Sequence, residues 1–401
     1  MPMFPIIPGH DSDKFLVPCS SRNYGWNRAL EQFGQLANRR YNRLLIGYFT
    51  HWKNMLTLRE ETFDHAALPL STSWLLADCM EFRGKQDLWS RQRPQVLAAL
   101  RQQAMIQSVE SSNRIEGVTV APDRLVPLAL GKSRPRDRSE EELSGYRRAL
   151  DWIYSRKPAL SMDPKTIRHL HALSHAGAGD AGEFKSRDNE IIEILPDGRR
   201  RVRFKSTPAK QTSRAVDDLC AAYQRLTRAQ RVPPLLVTCT AAFDLLCIHP
   251  FRDGNGRVSR LLTTMLLLQH GFSVGRYVSL ERWVEQSKED YYHVLGECSA
   301  GWHEGRNPIL PWWNYFLGVL RRAYLDFSRQ AEHRTGQGAK TEIARQFILS
   351  QVGDFALGDI HSQLPGISIQ LLKKVLADMK SEERISLSGH GRGAKWKLPQ
   401  R

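Results

Sequence analysis

Two apolar runs meet in this chain at one polar turn, and that junction limits the folds open to it. Leu235 to Ile248 is largely apolar and long enough for a buried helix, and helical apolar spacing restarts between Val258 and Gln269 at Leu261, Leu262, Met265 and Leu266. Between them lies His249-Pro250-Phe251-Arg252-Asp253-Gly254-Asn255-Gly256-Arg257, with Arg260 three residues on. The segment reads as helix, turn, helix. An imidazole, a carboxylate, two glycines, an amide and two guanidinium groups in a single turn have the composition of a site that handles phosphate.

Each residue type has a chemical reason to be there. An imidazole titrates near neutral pH, so His249 suits acceptance of a proton from an attacking hydroxyl. Asp253 offers a hard carboxylate oxygen of the kind Mg²⁺ takes, one or two per ion, with phosphate oxygens and water filling the rest of its shell. Arg257 and Arg260 fall on one face of the second helix and can fork onto phosphates. Gly254 and Gly256 permit positive φ and close approach to a ligand, and successive N–H groups at the helix start form an anion-binding concavity. Phe251 is expected to point back into the core and anchor the turn.

A shorter match would amount to a turn with a helix cap. The full ordered string is similar to the signature of the Fic family, His-x-Phe-x-Asp/Glu-Gly-Asn-Gly-Arg-x-x-Arg, and meets it at every specified position. The resemblance implies a mainly α fold, a Fic-type helical core with a short β-hairpin flap. It also implies transfer of AMP from ATP to a hydroxyl side chain of a target protein, with release of pyrophosphate. Carried over, it makes His249 the general base and Asp253 the magnesium ligand. Gly254, Asn255, Gly256 and Arg257 become the phosphate cradle, with Arg260 also on the nucleotide.

Upstream, Ser112-Asn113-Arg114-Ile115-Glu116-Gly117 resembles the family's inhibitory motif, Ser/Thr-x-x-x-Glu-Gly/Asn. There a glutamate competes with the nucleotide's γ-phosphate for the second signature arginine, which puts Glu116 against Arg260, with Ser112 opening the motif. By itself the segment reads as a solvated helix end closed by Gly117, and it is the signature downstream that favours the inhibitory role. Some relatives resemble enzymes that remove AMP with this glutamate, so the direction of the reaction stays open.

From Gly182 to Phe204, Ile191 to Leu195 and Arg201 to Phe204 read as short strands about the turn residues Pro196-Asp197-Gly198. The family places its flap here, aligning a target by strand addition, with Ile192 or Ile194 as candidates for the contact. An ordinary surface hairpin would look the same. Asp290-Tyr291-Tyr292-His293-Val294-Leu295 resembles the helix lining the family's adenine pocket, where Tyr291 or Tyr292 would touch the base; adjacent aromatics are also common core. Trp302, Trp312, Trp313 and Phe316 read as core of the terminal helices.

The organisation expected is an N-terminal helical region over 1–120, including the inhibitory helix at about 104–117, a Fic core over 121–333 and a winged-helix-like domain over 341–401. Trp26, Leu30, Phe33, Leu36, Tyr41, Leu44, Leu45 and Tyr48 keep helix spacing. Ser139-Glu140-Glu141-Glu142 reads as a capping box, and Asp163-Pro164 as the start of another helix. Arg329 to Lys340 is a polar linker. Beyond it, helical spacing at Ile343, Phe347 and Ile348, a short helix from Leu357 to Leu364, a third helix at Ile369, Leu372, Val375, Leu376 and Met379, and a hairpin from Ile385 to Leu398 around Gly389–Gly393 resemble a winged helix-turn-helix.

The formal net charge is +16, of which residues 340–401 hold +4, ten Lys and Arg against six Asp and Glu. That is a modest nucleic-acid footprint, so DNA, protein docking and homodimerisation all stay open for the tail. No apolar run reaches the roughly eighteen residues of a membrane span, and the start lacks the basic and apolar regions of a signal peptide. The expectation is a cytoplasmic protein without a membrane partner. Cys19, Cys79, Cys220, Cys239, Cys247 and Cys298 lack C-x-x-C spacing and read as reduced, buried residues. The leading functional reading is an Mg²⁺-dependent protein adenylyltransferase that uses ATP, acts on a protein substrate, with the chain itself one candidate, and is held down by Glu116. Its rivals are a nucleotide-responsive DNA-binding regulator with little turnover, an enzyme of this fold that removes AMP, and one that uses another nucleotide donor.

Overall fold

The run from Leu235 to Ile248 is buried at every position, as a helix apolar on all sides must be, and the surrounding helices enclose it. The computed structural model describes residues 56–92, 94–155, 160–194, 199–333, 339–349, 351, 354–364, 367–389 and 394–398. The helix expected around Trp26 to Tyr48, Cys19, the hairpin turn 196–198 and the tail residues 390–393 lie outside them.

In chain order the helices are α1 (Glu60–Asp64), α2 (Leu70–Gln92), α3 (Pro94–Ile115), α4 (Pro122–Ala129), α5 (Arg138–Ser155), α6 (Pro164–Ser174), α7 (Ala209–Ala229), α8 (Pro234–Ile248), α9 (Asn255–Gln269), α10 (Leu280–Gln286), α11 (Lys288–Ser299), α12 (Leu310–His333), α13 (Ala339–Leu349), α14 (Leu357–Gln363) and α15 (Ile369–Ser381). The strands are β1 (Glu190–Ile194) with β2 (Arg200–Lys205), and β3 (Ser386–Ser388) with β4 (Lys395–Lys397), each pair antiparallel. The mainly α fold with a short hairpin is as expected. No helix among the described residues is long and apolar enough to cross a membrane.

Helix α8 packs against α7, α9 and α12, while α3 packs against α5 and α10. Three buried tryptophans close over α8 with their indole N–H groups satisfied: Trp312 donates to the Cys239 carbonyl (2.8 Å), Trp313 to Thr240 Oγ1 (2.9 Å) and Trp302 to Asp244 Oδ1 (2.8 Å). Phe316, grouped with them from sequence, is only half-buried. Asp244 also accepts the Thr57 and Leu58 amides (3.1 and 2.8 Å), which fastens the incoming chain to the central helix. The five described cysteines are buried free thiols.

Local signals set most boundaries. Asp163 caps α6 by accepting the Thr166 amide at 2.7 Å, with Pro164 in the first helical position. The start of α5 differs from the capping box read at Ser139: Asp137 Oδ1 accepts the Glu140 amide (2.9 Å) and the helix opens at Arg138. Glu142, the other half of that box, is taken instead by a buried arginine. Helix α9 begins at Asn255, three residues before Val258, because Gly254 takes φ +76° and turns the chain directly into it.

In the first hairpin a bulge between Ile191 and Ile192 separates the pairs Ile191–Phe204 and Ile192–Val202. Phe204 seats the hairpin on the core by stacking on His303 (5.3 Å). In the tail, three helices and a hairpin follow in the expected order, and Phe355 bridges to Trp396. Leu372, Val375, Leu376 and Met379 of α15 face inward; Ile369 does not, being exposed.

Candidate active site

Helix α8 ends at His249, which holds φ +53° and ψ +61°, a left-handed conformation unfavourable for a residue with a Cβ. That twist reverses the chain after a buried helix and leaves the imidazole half-buried at the mouth of the turn. Nδ1 lies 3.3 Å from the Leu246 carbonyl. A carbonyl only accepts, so Nδ1 carries the hydrogen and the lone pair is on Nε2. Burial, and after it the Lys185 ammonium, push the imidazole down to about 4. His249 is therefore neutral at neutral pH and able to take a proton.

The turn is braced from below. Phe251 is fully buried and stacks on His171 at 3.9 Å, which in turn lies 4.9 Å from His175. His171 Nδ1 accepts the Gly182 amide (2.9 Å), so Nε2–H faces the Asp253 carbonyl at 3.2 Å. Burial pushes His171 down to about 4 and keeps this tautomer neutral. Asn255 uses its whole side chain on the turn, accepting the Phe251 amide at 2.9 Å and donating to the Phe251 carbonyl at 2.8 Å. Its contribution to an anion is thus confined to its main chain, where the first amides of α9 have no intrahelical acceptor.

The two glycines play different parts. Gly254 has the expected positive φ; Gly256 does not, since it is helical, and its value is spatial. A Cβ there would overlap Glu116 Oε1 and lie 3.1 Å from Arg260 Nη1.

Both signature arginines are buried and engaged with carboxylates. Arg260 donates from Nη2 to Glu116 Oε1 (2.8 Å) and to the Ser112 carbonyl (2.9 Å), and from Nε to Ser112 Oγ (2.9 Å). Glu116 and Ser112 thus stand where the resemblance places them, with Gly117 at φ +80° ending α3. Burial opposes the charge of Arg260, yet the Glu116 carboxylate holds its guanidinium above the ordinary arginine value. Arg257 departs from the reading in which both arginines fork onto phosphate. Its side chain is 2% exposed and it grips Glu142 Oε2 at 2.6 Å, with Asn113 Oδ1 and His175 Nδ1 at 3.5 and 3.4 Å. Even so, Arg257 Nε and Arg260 Nη1 are buried without a hydrogen-bond partner among the described residues.

Asp253, like its neighbour Arg252, lies on the open side of the turn, its side chain 59% exposed. Burial raises its carboxyl, but the Gly254 amide at 2.6 Å and the Arg257 charge more than offset this and hold it below the usual value. A cleft of about 510 Å³ adjoins it, bounded by Arg138, Glu141, Glu142, His175 and Arg252. On the other flank, Tyr291 is buried in a cluster with Trp312 and Tyr315, so it belongs to the core. Tyr292 is half-buried, with the Arg203 guanidinium 5.7 Å and the Lys288 ammonium 5.9 Å from its ring, and is the one of the pair that offers ring surface. Ile192 is 51% exposed on the hairpin, and Ile194 pairs through its backbone with Arg200.

Glu142 and Lys185 join the site without having been legible in the sequence, since nothing local marks their partners. His171 and His175, one helical turn apart, carried a readable signal.

Residues 161–267 match the family model described as Fic/DOC family. The protein adenylyltransferase Fic of Nematostella vectensis is 25% identical over 208 residues, which are 50% of this chain and 44% of that protein. The chain thus spans less than half the length of the curated relatives it matches. Among solved structures, a Fic family protein from Desulfovibrio desulfuricans superposes with a TM-score of 0.54 at 19% identity, covering 84% of this chain and 98% of that one. A Fic domain containing signaling protein from Bacteroides thetaiotaomicron gives 0.55 at 20% identity, covering 64% and 97%. Signature turn, helical enclosure and family match coincide on one segment, and residues 161–267 of this chain are a Fic domain.

Proposed function

We propose that this protein is a protein adenylyltransferase restrained by Glu116. The observation that carries the proposal is the pairing of a neutral His249, with its Nε2 lone pair available, and an arginine whose Nη2 is held by a carboxylate while its Nη1 has no hydrogen-bond partner among the described residues. A nucleotide that only bound as a ligand would have no use for the imidazole.

In the proposed reaction His249 Nε2 takes the proton of the target hydroxyl as its oxygen bonds to the α-phosphorus of ATP. The bond from that phosphorus to the bridging oxygen breaks, and the electron pair leaves with pyrophosphate. The amides at the start of α9 stabilise charge on the phosphates. Displacement of Glu116 would release Arg260 to the γ-phosphate, which an anionic carboxylate in that place otherwise repels. The exposed, ionised Asp253 fits Mg²⁺, an ion content with one protein carboxylate; bound there, it would neutralise phosphate charge. The hairpin would carry the target chain, with Ile192 on its surface, and Tyr292 would face the base.

Incubation with α-labelled ATP and Mg²⁺ tests the reading. Label should appear on protein with the wild type and more strongly with Glu116→Gly, and should vanish with His249→Ala. Equal labelling by Glu116→Gly and by Glu116→Gly/His249→Ala would overturn it.

A further inference from the structure

The stretch between α6 and the hairpin holds a lysine that is only 6% exposed. Lys185 Nζ donates to Asn189 Oδ1 (2.8 Å), Ser206 Oγ (2.7 Å) and the Ile248 carbonyl (3.3 Å). An ammonium has three hydrogens, and all three are used. Asn189 immediately precedes β1 and Ser206 immediately follows β2, so two of these bonds hold the two feet of the hairpin, and the third holds the residue before His249. Ser206 Oγ also lies 2.6 Å from Asn189 Oδ1 and 2.8 Å from the Asn189 carbonyl, which binds the feet to each other.

The same stretch grips the signature turn twice more. The Lys185 amide donates to the Pro250 carbonyl (2.9 Å) and Asn189 Nδ2 to the Phe251 carbonyl (3.1 Å). The carbonyls of residues 248, 250 and 251, on both sides of His249, are therefore all bonded to the lead-in of the hairpin.

We infer that Lys185 is a positioning residue that locks both feet of the β1–β2 hairpin to the turn bearing His249, and so fixes the distance from a target chain on the hairpin to the base. Burying an ammonium is expensive, and a methionine would fill the same space for packing alone. What the ammonium adds is a tetrahedral set of donors that meets three acceptors from three different segments. Its charge has a second effect. The charged groups acting on His249 are Lys185 from the lead-in, Glu116 just beyond α3 and Asp253 from the turn, and of these only Lys185 disfavours the protonated imidazole. Lys185 is itself lowered by burial to about 8. The footing of the hairpin thus rests on the same side chain that adds to burial in keeping the base neutral.

The catalytic arm of the test rests on the transferase reading; the structural arms do not. Lys185→Met and Lys185→Arg are made in the full chain carrying Glu116→Gly, with Ser206→Ala as a milder variant that removes one acceptor. With α-labelled ATP and the protein's own labelling as readout, Lys185→Met should lose roughly a hundredfold in kcat, the scale of an ångström-level misplacement, with KM for ATP unchanged. Lys185→Arg should recover part of the loss. Hydrogen exchange of the amides in 190–194 and 200–205 should quicken in Lys185→Met and, to a lesser degree, in Ser206→Ala, while α8 exchange stays as it was. The NMR titration midpoint of His249 should move up in Lys185→Met.

Should Glu116→Gly itself fail to label, the transferase reading falls and the exchange and titration arms still judge the lock. Unchanged hairpin exchange together with an unchanged His249 midpoint in Lys185→Met would overturn the inference. So would a loss confined to KM for ATP. If Lys185→Met does not fold, Ser206→Ala decides by the same exchange measurement, and unchanged exchange there counts against the lock.

Discussion

Glu116 and Gly256 share one space: the carboxylate oxygen that binds Arg260 sits where a Cβ on residue 256 would have to be. The signature glycine is therefore what lets the end of α3 close over the start of α9. The Glu116–Arg260 contact and the turn beside it both depend on the same missing side chain.

Gly256→Ala should accordingly be destabilising in a way that depends on residue 116. We expect a cost of about 1–3 kcal/mol in the wild type, typical of overpacking, and much less in Glu116→Gly, where the added methyl has room. A double-mutant cycle by urea denaturation measures the coupling. Additive effects would mean the two residues do not compete for space.

Glu116→Gly should raise ATP affinity about tenfold or more, because a charge-assisted bond worth roughly 1.5–3 kcal/mol no longer has to be broken first. Calorimetric titration of ATP with Mg²⁺ into each protein reads this directly.

Seating of α3 depends on a second carboxylate. Glu281 accepts Ser108 Oγ of α3 (2.7 Å), Tyr146 Oη of α5 (2.9 Å) and Ser279 Oγ (3.1 Å), all buried. Ser108→Ala should loosen α3 by about 1 kcal/mol and raise labelling a few-fold through easier withdrawal of Glu116. In a Glu116→Gly background the same substitution should change labelling very little, and an equal rise there would show that Ser108 acts by another route.

The pH profile reports on His249. With the imidazole held down to about 4, a protonated base is scarce until the solution is distinctly acidic. The kcat/KM for labelling should be level from about pH 8 to 5 and fall with a midpoint near 4. An acid limb centred at the ordinary histidine value would contradict the burial argument.

Asp244 gives a pH-dependent stability. Burial raises its carboxyl from 3.8 to about 6 against the Trp302 indole and the Leu58 and Thr57 amides. With the folded value above the unfolded one, its contribution is fully present below about pH 4 and is lost as pH rises through 6. The unfolding free energies of wild type and Asp244→Asn should therefore diverge by about 3 kcal/mol between pH 4 and 7, the wild type losing ground as pH rises. Urea titrations across that window settle it; a constant difference would rule out the shift.

The amino-acid order by itself determined whatever rests on near neighbours. Apolar spacing announced α8 and α9, glycine chemistry announced the bend at Gly254, Asp163 announced a cap, and strand alternation announced the hairpin. The match of Ser112 to Gly117 even anticipated a contact between residues 144 apart, because a whole motif was present. Tertiary structure alone decided which groups meet across long separations without a motif to announce them: Arg257 with Glu142 rather than in the open, Tyr291 in the core while Tyr292 faces out, and Lys185 against Ser206 and Ile248. Helix and strand periods say which face a residue takes, and only the packing of distant segments says what lies opposite that face.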